Sequence, residues 1–183
     1  SGGEPTLQRV ALNQLFEKLH AEGINTALDS NGRILNEEVK ALFEKTDYLM
    51  FLDSDDALAP QALHSMVNQV INTGSDFVVG DTTRMKGVTR LKRRDTRAVF
   101  AKGTISATTL LEQPQVIQDV TAWNRLFDFK FYQSNQFTFP EGMFFEDMAL
   151  MTKAYVRAAK FDILAQTVYL WRVRTEGDKS ITQ

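Results

Sequence analysis

The sequence predicts an α/β fold in which a mainly parallel sheet is flanked by helices. Three observations carry this expectation. Apolar residues at helical spacing (Leu12, Leu15, Phe16, Leu19) alternate along the chain with short apolar runs such as residues 48–52. The order helix, strand, helix, strand in the first third calls for parallel pairing through right-handed crossovers. A length of 183 residues, 43% of them hydrophobic, is enough for one well-filled core and one domain.

The Leu12 helix ends at Gly23, and residues 24–28 read as a short strand followed by a turn at Asp29-Ser30-Asn31-Gly32. Asn36 has the chemistry of an N-cap for a helix carrying Val39, Leu42 and Phe43. Residues 48–52 form a buried strand. Pro60 opens a helix with Leu63, Met66, Val67 and Val70 inside, closed by Thr73-Gly74. Residues 77–79 are a strand. Gly87 and Gly103 bracket a hairpin built on Val88, Leu91, Val99 and Phe100. Helices are expected over 104–111, 121–127 and 146–159, an extended stretch over 137–142, and a strand over 167–173. A smaller subregion falls around residues 82–135.

Composition excludes several classes. The chain has no Cys, which removes disulfides, thiolate metal sites and Cys nucleophiles and makes the cytoplasm the default location. No apolar run reaches the roughly 18 residues of a membrane span. A net charge of −2 gives no nucleic-acid signal.

Asp53-Ser54-Asp55-Asp56 is the stretch richest in chemistry. Clustered carboxylates at a strand end set hard oxygen ligands at the lip of a sheet, where a divalent cation and the phosphates it neutralises can sit. That arrangement points to a nucleotide sugar. The alternative is an acidic turn capping the helix that starts at Pro60, a role open to Asp56. Between residues 84 and 97 stand seven basic side chains (Arg84, Lys86, Arg90, Lys92, Arg93, Arg94, Arg97) against Asp95 alone. They form either a solvated hairpin face or a surface that attracts an anionic acceptor, a phosphate-rich polymer, or lipid headgroups at the inner membrane face.

Four ordered motifs extend the reading: Phe51-Leu52-Asp53-Ser54-Asp55-Asp56; Trp123-Asn124-Arg125-Leu126-Phe127; Phe139-Pro140-Glu141-Gly142 with Phe145-Glu146-Asp147-Met148; and Val168-Tyr169-Leu170-Trp171-Arg172-Val173-Arg174 with Ser180-Ile181-Thr182-Gln183. On these, residues 47–183 resemble family 2 glycosyltransferases, closest to domains that build or decorate teichoic-acid-like and capsular polymers. The resemblance implies a Rossmann-like, GT-A-type sheet. It also implies metal-dependent inverting transfer from a nucleotide-sugar donor to a hydroxyl of a polyol-phosphate or polysaccharide acceptor. Asp53 and Asp55 would hold Mn²⁺ or Mg²⁺, one of them also reaching the donor's ribose. Asp147 would be the general base, with Glu146 orienting it or the acceptor; helix capping is the alternative for both. Trp123 and Asn124 suit an acceptor site, although Trp123 could equally be buried. Arg172 and Arg174, with Ser180, would close on the pyrophosphate or form structural salt bridges.

The first segment resembles something else. Ser1-Gly2-Gly3-Glu4-Pro5-Thr6-Leu7-Gln8, residues 23–32 and Thr46-Asp47-Tyr48-Leu49-Met50 are similar to a barrel segment of radical SAM activating proteins for glycyl-radical enzymes. In that family Gly-Gly-Glu meets the amino end of S-adenosylmethionine. The absence of Cys excludes the [4Fe-4S] cluster, and with it radical chemistry by this chain alone. The two resemblances together imply a chimera, with 1–46 as a βα segment joined to 47–183 in one domain. The usual N-terminal base-binding strand and loop would be truncated or replaced, with Asp29 the one residue in a similar topological place. A catalytically silent chimeric domain is the rival function, and an activator fragment the third.

Overall fold

In the computed structural model, the described residues are 5–30, 36–142 and 144–173. Helix α1 (Arg9–Ala21) ends as expected at Gly23, whose φ is +70° and whose N–H donates to the His20 carbonyl at 2.9 Å. Strand β1 (Ala27–Ser30) begins three residues later than the sequence predicts. Asn36 caps α2 (Glu37–Phe43) by accepting from the Val39 N–H at 3.0 Å. The next strand, β2 (Tyr48–Phe51), lies parallel to β1 with Leu28 opposite Leu49. Phe16, Leu28 and Leu42 close a small cluster between these elements.

A two-residue strand β3 (Ala57–Leu58) precedes α3 (Ala62–Thr73). Gln61, with φ +63°, makes the turn into α3, so Pro60 stands outside it. Strand β4 (Phe77–Lys86) runs ten residues and turns at Gly87-Val88 into β5 (Thr89–Lys92). This hairpin is shorter than the predicted one, because residues 97–100 form a single helical turn, α4 (Arg97–Phe100).

Two expected helices are strands: β6 (Ile105–Thr108) and β7 (Arg125–Asp128). The reason for β7 is burial on both sides. Leu126 and Phe127 are both fully buried, in different clusters, so the run shows no alternation and cannot be told from a buried helix by period. At β6, Asp162 accepts the Ala107 N–H at 2.6 Å and holds Ala107 at φ +51°, a tertiary contact with no local signal. Asp128 then caps α5 (Phe129–Ser134), and α6 (Glu146–Arg157) leads to the long last strand β8 (Phe161–Arg172).

The sheet order is β1-β2-β7-β4-β8-β3, with β5 added to β4 and β6 to β8. The α/β class is as predicted, but the sheet is mixed rather than mainly parallel. Only β1/β2 and β4/β8 pair in parallel among the described strands. Strands β1, β2, β4 and β8 share one direction, and β7 runs against it between β2 and β4. One face carries Phe77, Val79, Phe127, Leu150, Met151 and Phe161; the other carries Met50, Met66, Val70, Val78, Leu126 and Val168. Gly80 marks the register break between β4 and β8. A Cβ there would overlap the Val168 methyl groups, so only glycine lets the strands close. Among the described residues, no helix is long and apolar enough to cross a membrane.

Candidate active site

The acidic motif leaves the sheet at the carboxyl end of β2. Asp53 is exposed, and Asp55 and Asp56 are half-buried. Tyr169 of β8 organises the turn: its hydroxyl accepts the Asp53 N–H at 3.1 Å and its polar end favours the ionised Asp56 carboxylate. Asp56 also accepts the Arg172 N–H at 2.7 Å. It therefore ties the turn to β8 and does not cap α3. Burial raises its pKa to about 6 against the pull of the Arg172 N–H and the Tyr169 hydroxyl, and Asp53 and Asp55 add to the rise.

The loop before α6 brings a second acidic pair to the same place. Although Asp53 as a whole residue is exposed, crowding around its carboxylate desolvates it and raises its pKa, and the charges of Asp147, Asp55 and Glu146 raise it further. Residues separated by nearly a hundred positions thus share one electrostatic site. Asp147 is half-buried at the start of α6, yet its carboxylate does not cap that helix. It accepts the Ala122 N–H at 2.9 Å. Its own pKa is raised by burial and by Glu146, against the pull of the Ala122 hydrogen bond and Arg125. Glu146 is exposed beside it.

The loop that supplies Ala122 rests on charges that sequence reasoning missed. Asp119 and Arg125 are fully buried and paired at 3.3 Å, with Arg93 reaching Asp119 at 3.5 Å. Arg125 also donates to the Tyr155 hydroxyl at 2.8 Å. Burial alone would raise the Asp119 pKa; Arg125 and Arg93 outweigh it and hold the carboxyl below its usual range. The available signal was an Asp and an Arg six residues apart, flanking Val120, Ala122 and Trp123. Asn124 belongs to this network, which corrects its assignment to the acceptor site. It is fully buried, and its amide donates to the Gly80 carbonyl and to Asp119, both at 2.8 Å.

Trp123 is half-buried and stacks on Tyr169 at 4.3 Å between centroids, with Trp171 at 5.9 Å. It forms the wall behind the acidic turn. Arg172 lies at the exposed end of β8 beside Asp56. Arg174 and Ser180 lie outside the described residues, as do Gly2-Gly3-Glu4 and the side chain of Asp29, although β1 sets the Asp29 backbone opposite Met50 of the motif strand.

No group of three or more His, Cys, Asp or Glu among the described residues could enclose a metal ion. Asp53 and Asp55 could hold one only if phosphate oxygens and water completed its shell, which is the usual habit of Mg²⁺ at nucleotide sites.

A family model, glycosyl transferase family 2, matches residues 42–136, just over half of the chain. The chain belongs to glycosyl transferase family 2. Its match begins before the acidic motif and ends beyond β7, so it spans the Trp123 loop as well. Among solved structures, this family 2 chain is similar to S. aureus TarS 1-349 in complex with UDP-GlcNAc, with a TM-score of 0.62 and 21% identity over 96% of this chain and 48% of that one. It is similar to S. aureus TarS 1-349 in complex with UDP at a TM-score of 0.60 and 20% identity, over 87% and 47%. The chain therefore spans about half the length of these proteins, and at such identity the likeness is one of fold. No curated protein gives a significant match. Because the fold match covers 96% of the chain, it takes in most of the first 46 residues. Neither a splice there nor a radical SAM fragment finds support.

Proposed function

We propose that this chain carries the catalytic centre of a metal-dependent inverting glycosyltransferase, moving a sugar from a nucleotide-sugar donor to a hydroxyl of a polyol-phosphate or polysaccharide acceptor of the teichoic-acid or capsular kind. The observation that carries the reading is the convergence of Asp147 and Glu146 on Asp53 and Asp55, with the Asp53 pKa raised by desolvation and then by its neighbours' charges. Carboxylates that raise one another's pKa gain when a divalent cation offsets their mutual repulsion. Asp53 and Asp55 would hold Mn²⁺ or Mg²⁺, which supplies charge stabilisation for a leaving nucleoside diphosphate.

Asp147 acts as the base. It takes the proton of the acceptor hydroxyl as that oxygen bonds to the anomeric carbon, while the bond from that carbon to the diphosphate breaks and its electron pair leaves with the nucleotide. A carboxylate whose pKa is raised is a better proton acceptor than an ordinary one. The Ala122 N–H fixes its aim, and Glu146 orients the incoming hydroxyl. Trp123 gives the sugar a flat apolar wall. Arg172 lies beside the acidic turn, where it could meet the diphosphate. The TarS complexes with UDP-GlcNAc and UDP support a uridine nucleotide as the first donor to try.

Titration of UDP in the presence of Mn²⁺ tests the reading directly. Saturable, metal-dependent binding supports it. No binding by the folded chain would leave a catalytically silent domain.

A further inference from the structure

A second feature lies beyond the aromatic wall. An open cleft of about 1080 Å³ runs between β5, α4 and the outer half of β4. Five cations line it (Arg84, Lys92, Arg93, Arg94, Arg97) against two carboxylates, Asp81 and Asp95. The carboxylates are already engaged: Asp81 pairs with Lys92, and Asp95 with Arg93. Arg94 and Arg97 are exposed, and neither side chain has a hydrogen bond or ion pair among the described residues. Arg84 lies over the Trp171 ring at 4.5 Å, and its buried Nε has no hydrogen-bond partner. A buried guanidinium N–H without an acceptor is costly, and an anion in the cleft would relieve it.

The cleft and the carboxylates share one wall. Trp171 and Trp123 lie within cation–π range of Arg93, and Trp123 stacks on the Tyr169 that organises the acidic turn. We propose that this cleft is an acceptor subsite that binds a phosphodiester of the acceptor chain, one aromatic layer away from the hydroxyl presented to Asp147. The inference rests on the glycosyltransferase reading and deepens it. The acidic lip would repel a polyanionic acceptor, so binding one needs compensating positive charge nearby. Arginine forks grip phosphate oxygens bidentately, and Leu91, Phe100 and Ala101 in the same lining suit the carbon backbone of a polyol. The concave shape fits a single chain lying in it better than a flat lipid surface.

The test is calorimetry with an oligo(glycerol phosphate) as probe, read without turnover. Wild-type protein should bind it with an affinity that falls as salt rises. Arg94→Gln/Arg97→Gln should weaken binding at least tenfold, Lys130→Gln, on exposed surface elsewhere, should stay within twofold, and all three should bind UDP and Mn²⁺ alike. No oligomer binding, or equal binding by wild type and the double variant, would overturn the proposal. So would loss of co-sedimentation with phosphatidylglycerol vesicles in the double variant while oligomer binding persists, which would assign the segment to a membrane surface. Failure of UDP binding alone would strike the donor reading and leave the phosphate cleft standing.

Discussion

The backbone N–H of Ala122 donates to the carboxylate of Asp147 at 2.9 Å, joining the loop before β7 to the first turn of α6. This bond makes the position of Asp147 depend on the buried Asp119–Arg125 pair, since that pair fixes the loop.

Asp147→Asn should retain the bond, because the amide oxygen can still accept from Ala122, while removing the proton acceptor. Transfer should fall by roughly 10²–10⁴-fold with UDP affinity within about twofold. Single-turnover assays with a polyol-phosphate acceptor check it, and near-normal transfer would move the base to Glu146.

Asp55→Ala should abolish Mn²⁺-dependent UDP binding, since a cation held by so few protein carboxylates cannot lose one cheaply. Unchanged affinity in calorimetry would remove Asp55 from the metal site.

Stability should depend on pH through Asp56. Its folded pKa is raised to about 6, so the native state holds the proton more tightly than the unfolded chain. The sign follows: the contribution of Asp56 to stability is largest at acid pH, falls as pH rises from about 4 towards 6, and levels off above, opposite in sign to that of Asp119, whose lowered pKa favours the fold at higher pH. Asp53 and Asp147 act in the same direction as Asp56. For Asp56 the loss is at most about 3 kcal/mol before solvent screening. Asp56→Asn keeps the acceptor for the Arg172 N–H and should raise the denaturation midpoint at pH 7.5 while flattening its pH dependence. A midpoint at or below wild type would contradict this account.

Arg125→Met should cost about 3–5 kcal/mol, because it strands the buried Asp119 carboxylate without its main partner. Replacing both members with apolar residues should cost less than the single change. Denaturant unfolding of the single and double variants separates the two outcomes.

Gly80→Ala should destabilise by several kcal/mol, as the added methyl meets Val168 across β4 and β8. Pairing it with Val168→Ala should recover part of the loss.

The sequence by itself determined the local features: the Asn36 cap, the Gly23 and Gly74 stops, the parallel β1/β2 unit, and the carboxylates that end β2 and begin α6. Caps, turns and strand-end motifs are written in a few adjacent residues, so composition and spacing reveal them. Only the tertiary structure decided the rest. β6 and β7 became strands because their partners lie far along the chain, and a short run buried on both faces carries no period of its own. Asp56 was drawn to Arg172 across 116 positions. Asn124 was withdrawn from solvent by a buried Asp–Arg pair, and the basic run was folded into a cleft around Arg84. Each of these is settled by which groups must share a low-dielectric space, a choice that no window of neighbouring residues contains.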